Sequence, residues 1–233
     1  TASGATWKPD QYSVNVQDGL ASAGGTTTTG NFEISQGKLE CLSLSSQDFV
    51  AAQTDKMSIA NHASMSYGDS SNDSPFTFSA WVNMDTTTSF RILSKGVYDT
   101  SPDGAEYLFQ TDGSSRLTLI LYDEDSGSTY EGAYTTETIT QDKWVHVTGT
   151  YNGVGGASAN AGITLYINGV AGTMNLIDSG TYVSMVAGNQ DVYVGRYASS
   201  YADGSIRDIK MFNYELSADQ VSSLYSGSYN VTP

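Results

Sequence analysis

The sequence predicts an all-β fold, a sandwich of two antiparallel sheets with one short helix near its C-terminal end. Three observations carry this expectation. Apolar and polar residues alternate with period two in run after run. The 24 glycines and only 4 prolines in 233 residues suit short strands joined by polar turns. The period turns helical once, late in the chain.

Residues 1–37 are low in apolar periodicity, with "ASAGGTTTTGN" as the softest stretch, and read as an N-terminal extension or anchoring arm. Residues 38–233 then form one β-sandwich domain. In "FTFSAWV", Phe76, Phe78, Ala80 and Val82 share one face, while Thr77, Ser79 and Trp81 share the other. "RILSKG" and "EYLFQTDGSSRLTLILYD" follow. In the latter, an Asp-Gly turn separates two strands, and Leu117, Leu119 and Leu121 alternate with Thr118, Ile120 and Tyr122. "KWVHVTGTY" points Val145, Val147 and Gly149 one way, and Trp144, His146 and Thr148 the other. It pairs with "ITLYINGV" across a soft Gly/Ala/Ser tip, whose length is cheap to vary because closure entropy grows slowly. "DVYVGRY" and "GSIRDIKMFNY" supply further strands. In "LSADQVSSLYSG", Ser217 and Gln220 have capping-box spacing, Val221, Leu224 and Tyr225 form a stripe, and Gly227 is a stop.

The formal charge of −15 comes from 25 acids against 10 bases. Such a surface repels phosphate backbones and anionic membranes, which argues against nucleic acid and membrane insertion. No stretch has the apolar length of a membrane span, and "TASGATWKPDQ" lacks a charged-then-apolar signal pattern. One cysteine, Cys41, permits no internal disulfide and reads as a small buried apolar residue.

The ordered segments "SPFTFSAWVN", "RILSKG", "KWVHVTGTYNG", "ITLYINGV", "VYVGRY" and "GSIRDIKMFNYELSADQVSSLY" together resemble laminin-G-like domains. These belong to the concanavalin A-like lectin/glucanase superfamily, and the resemblance runs over roughly residues 40–227. It implies a jelly roll of two antiparallel sheets. It does not imply one function, since related sandwiches serve as lectins, adhesion modules, enzyme-appended domains and virion components. Domains of this kind often carry a histidine in the strand matching "WVHVTGTY", without catalytic duty. The residues agree: His146 lies between two valines with no flanking acid, and reads as a structural, hydrogen-bonded histidine. His62 has no partners at metal spacing either.

Related glucanases use an E-x-D-x-x-E strand, and no such run occurs here. Without a G-x-S-x-G elbow or an acid-oriented histidine, a serine nucleophile also finds no support, and the chain reads as non-catalytic. "YDEDSGSTYEG" (Asp123, Glu124, Asp125, Glu131) reads as a solvated turn. Asp123 and Asp125 are its candidates for calcium, the one cofactor these loops suggest. "YDTSPDGAEY" (Asp99, Asp103, Glu106) and "SYADGSIRD" (Asp203, Asp208) are equally acidic. Aromatic faces beside polar groups suit sugar rings. Tyr197 and Tyr201 with Arg196 and Asp203 in "GRYASSYADG", together with Tyr98 and Tyr130, are therefore the candidate glycan-binding residues. Trp81 and Trp144 read as core or inter-strand packing.

These features give the expectation of a surface-displayed structural or adhesion protein. The first reading is a virion component: a capsid decoration, fibre or tail protein at the virion surface. It would contact other virion or surface proteins through residues 1–37, as an oligomer or part of an assembly, and bind glycans. The alternative is a lectin-like, carbohydrate-binding adhesion module of a bacterial surface or secreted protein.

Overall fold

A computed structural model describes residues 12–17, 31–35, 38–41, 47–97, 104–125 and 129–227, the first three segments and residue 47 at the level of the backbone. In chain order the first strands are β1 (Tyr12–Gln17), β2 (Asn31–Ser35), β3 (Lys38–Cys41), β4 (Gln47–Phe49), β5 (Lys56–Ile59) and β6 (Phe76–Met84). Then come β7 (Arg91–Lys95), β8 (Tyr107–Thr111), β9 (Arg116–Asp123), β10 (Thr129–Thr138), β11 (Trp144–Tyr151) and β12 (Ile163–Ile167). The last are β13 (Val170–Ala171), β14 (Met174–Ser179), β15 (Val192–Val194), β16 (Arg196–Tyr197), β17 (Ser200–Tyr201) and β18 (Gly204–Phe212), followed by helix α1 (Ala218–Tyr225).

Two antiparallel sheets result. The first runs β13-β12-β11-β6-β18-β3-β2-β1, with β4 also on β18; the second runs β1-β5-β15-β7-β8-β9-β10-β14. β1 belongs to both, because Tyr12 and Ser13 pair with β2 while Val14–Gln17 pair with β5. Two strands from residues 1–37 thus join the sheets of their own chain.

The alternation read in the sequence is the packing. Phe76, Phe78, Ala80, Val82 and Met84 of β6 meet Tyr107, Phe109, Leu117, Leu119 and Leu121 of the second sheet in one buried cluster. Its centre is aromatic: the Phe76 and Phe78 rings lie 4.4 Å apart, and Phe78 and Tyr107 4.7 Å. Gly149 faces this core from β11, and a Cβ there would sit 3.3 Å from both Phe109 and Leu165. The missing side chain lets the Phe109 ring approach the strand.

On the other face of the first sheet, α1 carries the capping box read from the sequence. The Ser217 hydroxyl accepts from Gln220 N, and the Gln220 side chain accepts from Ser217 N at 2.8 Å. Val221 and Leu224 pack with Tyr166, Phe212 and Leu216, and Gly227 leaves the helix at φ +71°. Among the described residues no helix is long and apolar enough to cross a membrane.

Several acids that looked like surface loops are interior fasteners. Residues 180–191, a stretch without strand or helix, are held by three carboxylates. Asp123 accepts from Val183 N at 2.8 Å, Asp73 from Met185 N at 2.8 Å, and Glu106 from Gly188 N at 2.8 Å. Asp73 also accepts the Tyr151 and Tyr182 hydroxyls at 2.6 and 2.7 Å. Glu106 meets Lys95 at 2.5 Å with both side chains fully buried, and burial pushes its carboxyl up to about 7 against the pull of that ammonium. The solvated-turn expectation for "YDEDSGSTYEG" holds at Asp125, which is exposed, and fails at Asp123 and Glu131, which are buried. An ionised carboxylate supplies strong acceptors, so a long loop with no ladder of its own can be tied down by buried acids.

Candidate functional site

The outer face of the second sheet gathers aromatic and guanidinium groups. Tyr122 on β9 lies opposite Tyr130 on β10, with ring centroids 5.9 Å apart. Gly195 takes φ +76°, and a Cβ there would fall 2.4 Å from the Phe49 ring. This glycine turns the chain out of β15 into the β16–β17 hairpin, which folds back over the sheet. Tyr197 consequently lies parallel to Tyr122, at 6.1 Å and an interplanar angle of 9°. Ser94 donates to the Arg196 carbonyl at 2.7 Å and fixes the hairpin from below. Ala105 and Leu108 form the apolar bed, with Ile120 half-buried beside them.

Three of the chain's four arginines stand on tyrosine rings of this face. Arg91 is 5.9 Å from the Tyr197 centroid, Arg116 3.9 Å from Tyr134, and Arg196 4.7 Å from Tyr193. Arg116 is held by Asp112 at 2.6 Å, and Arg196 Nε donates to the Ala198 carbonyl at 2.9 Å. Arg91 is half-buried and its Nε has no hydrogen-bond partner, so burial pulls its guanidinium below the usual value. A planar cation on a tyrosine face gains cation–π attraction while keeping its edge donors available. Tyr122 is itself buried beneath Tyr197, so what the arrangement presents at the surface is half-exposed tyrosine rims flanked by guanidinium groups held in place.

Of the residues singled out in the sequence, Tyr197 and Tyr130 meet through Tyr122, and Arg196 and Tyr201 oppose each other in the β16–β17 ladder. Asp203 is occupied elsewhere. Its carboxylate accepts from Ala51 N and the Thr86 hydroxyl, both at 3.3 Å, so it fastens two loops. Tyr98, Asp99 and Asp103 lie outside the described residues. Of the calcium candidates, Asp123 points inward to Val183 and Asp125 lies at the surface. Among the described residues no three His, Cys, Asp or Glu side chains are grouped to hold a metal ion.

The sequence reading does not single out Tyr122, Tyr193, Arg91 or Arg116. The available signal for Tyr122 is its alternation, with Thr118 and Ile120, against Leu117, Leu119 and Leu121. No local pattern brings Arg91 to Tyr197, which are 106 positions apart in the chain.

His146 is buried, with Nε2 2.9 Å from the Ser79 hydroxyl and its ring 5.2 Å from Trp81 and 5.8 Å from Tyr225. Burial, reinforced by Lys210, pushes its imidazole down to about 4, which keeps it neutral near pH 7. His62 caps a short turn by accepting from Ser64 N at 3.2 Å. Trp81 and Trp144 lie outside the core on the outer face of the first sheet, where the Arg207 guanidinium is 5.5 and 4.3 Å from their rings.

No curated protein matches the chain. Solved structures with the same fold include domain 4 of AbnA, an extracellular GH43 arabinanase from Geobacillus stearothermophilus, in complex with arabinotriose. It is 13% identical with a TM-score of 0.55, over 92% of this chain and 87% of that one. The ligand binding domain of botulinum neurotoxin serotype D, in complex with N-acetylneuraminic acid, is 18% identical with a TM-score of 0.51, over 92% and 46%. The binding domain of Paraclostridial Mosquitocidal Protein 1 is 15% identical with a TM-score of 0.51, over 94% and 53%. The chain spans about half the length of these two toxin domains. At such identities the likeness is one of fold. A laminin-G-type family model of the concanavalin A-like lectin/glucanases superfamily matches residues 52–222, most of the chain. Sandwich, register and family model agree, and the chain belongs to that superfamily.

Proposed function

We propose that this chain is a non-catalytic glycan-binding module and that the tyrosine–arginine face of the second sheet contacts the sugar. The observation that carries this reading is the stacked Tyr122–Tyr197 pair with Arg91 above it. Sugar rings present apolar C–H faces and hydroxyl edges, which such a surface matches. The arabinotriose and N-acetylneuraminic acid complexes of similarly folded domains support a saccharide as the ligand class. The non-catalytic part is supported by the acids themselves. Asp73, Asp123 and Glu106 are committed to backbone N–H groups of one loop.

A second reading, a structural component of a virion surface anchored by residues 1–37, rests on that segment's lying outside the matched region 52–222. Because β1 and β2 pair within their own chain, the module is the reading favoured here. The test is a glycan array probed with the wild type, Arg91→Gln and Tyr197→Ala. The expected result is a defined set of bound glycans, lost or weakened about tenfold in both variants at unchanged melting temperature. A wild type that binds no glycan refutes the proposed function. Binding that both variants retain refutes the assigned face.

A further inference from the structure

On the opposite side of the sandwich, a cleft of about 480 Å³ opens between the outer face of the first sheet and the end of α1. Its cations are Arg207 and Lys210, two of only ten in a chain of net charge −15. In an unbroken strand, residues three apart face opposite sides. Here the β18–β6 register slips by one residue: Arg207 lies opposite Trp81 and Lys210 opposite Ser79, with Asp208 between them at φ +51°. The bulge turns both cations onto one face. Trp81 and Tyr225, packed against each other with centroids 5.7 Å apart, form one aromatic wall, and the buried Ser79 and His146 line the cleft beside it. Two nitrogens here have no hydrogen-bond partner: Nδ1 of the buried His146, and Arg207 Nε, which is 3.9 Å from Asp208.

We propose that this cleft is a binding site for a small ligand that joins a carboxylate to a ring with an apolar face, the chemistry of an acidic monosaccharide. The volume lies within the range of small-molecule sites. Arg207 lies against two tryptophan rings, at 5.5 and 4.3 Å, so less freedom is lost when it grips a carboxylate. Lys210 adds a second positive charge, and the aromatic pair takes the ring. Asp208 and the carbonyl end of α1 bring negative charge to the rim. The cleft is therefore attractive to an anion only while both cations are present. A neutral sugar would lack the partner that repays stripping water from them, and a bare carboxylate would leave the aromatic wall bare. The site is independent of the tyrosine–arginine face, and neither depends on the other for ligand.

Tryptophan fluorescence reads this site directly, because Trp81 lines it. The full chain is titrated with glucuronate, with glucose as the neutral ring and acetate as the bare carboxylate. A glucuronate oligomer serves as a further arm. The expected result is a saturable change with glucuronate in the millimolar range, and none with glucose or acetate. A tighter oligomer identifies the end of an acidic chain as the ligand's source, and equal affinity identifies the free sugar; both support the proposal. Lys210→Gln, an exterior change, should weaken glucuronate about tenfold, and Asp208→Asn should tighten it roughly threefold. Asparagine tolerates the left-handed backbone at position 208, so that variant is expected to fold. Arg91→Gln should leave the response unchanged. The proposal is overturned if glucuronate gives no saturable change, if glucose matches it, or if Lys210→Gln and Asp208→Asn leave its affinity unaltered.

Discussion

The imidazole of His146 makes stability depend on pH in a way that one substitution isolates. Its pKa is about 4 in the folded chain against 6.5 for the free side chain, because burial disfavours the charged ring. A depressed pKa contributes stability that is fully present above the unfolded value and is lost as pH falls through the folded one. The window is therefore pH 6.5 down to 4. The gap of 2.5 units, at 1.36 kcal/mol per unit, amounts to about 3 kcal/mol. Other groups titrate in the same window, so the wild-type profile alone does not isolate the ring. The difference between wild type and His146→Gln does, because shared groups cancel. Glutamine keeps a polar group near Ser79 and fits the cavity less well, which should cost about 1–2 kcal/mol at pH 7.5. As pH drops to 4, that deficit should shrink and then reverse, by about 3 kcal/mol in total. Urea unfolding at pH 7.5, 6, 5 and 4, followed by tryptophan fluorescence, measures it. A difference that stays constant across those four conditions would refute the burial argument and mean that the ring is solvated.

Glu131 should show the opposite slope: burial and the facing Asp178 push it up to about 7, so the folded chain holds a proton that the unfolded chain releases from about pH 4.5. Its contribution is lost as pH rises toward 7, and Glu131→Gln should remove that loss and be about 3 kcal/mol more favourable, relative to wild type, at pH 8 than at pH 4, by the same unfolding assay. Asp73→Ala withdraws the acceptor for two tyrosine hydroxyls and Met185 N, and should destabilise by about 2–4 kcal/mol while hastening amide exchange at residues 180–191, read by mass spectrometry. Ser217→Ala removes one half of the capping box and should lower stability by about 1 kcal/mol without altering ligand binding, which calorimetry would check.

What was legible in the sequence followed from local rules. β6, β9, β11 and β12 alternate because one face meets the core, and a one-residue slip would expose that whole face. The capping box at Ser217 and Gln220 is equally local. What stayed hidden depends on distant segments. Alternation along β9 carries Asp123 to the face of Leu117, Leu119 and Leu121, but its partner, Val183 N in the loop at 180–191, comes from a distant segment, while Asp125 beyond the strand stays out. Strand alternation places Arg207 and Lys210 on opposite faces, and the bulge at Asp208 overrules it. Tyr197 and Tyr130 were visible as candidates, whereas the buried Tyr122 that joins them and the Arg91 above them required the fold.

The central claim is that the tyrosine–arginine face of the second sheet holds the glycan. The most direct measurement is NMR chemical-shift mapping of the labelled chain during titration with the strongest glycan from the array. Shifts concentrated on Arg91, Tyr122, Tyr130 and Tyr197, with the β16–β17 hairpin moving in step, are the expected result. Shifts confined to the cleft by α1, or to the loops at the sandwich ends, would contradict it.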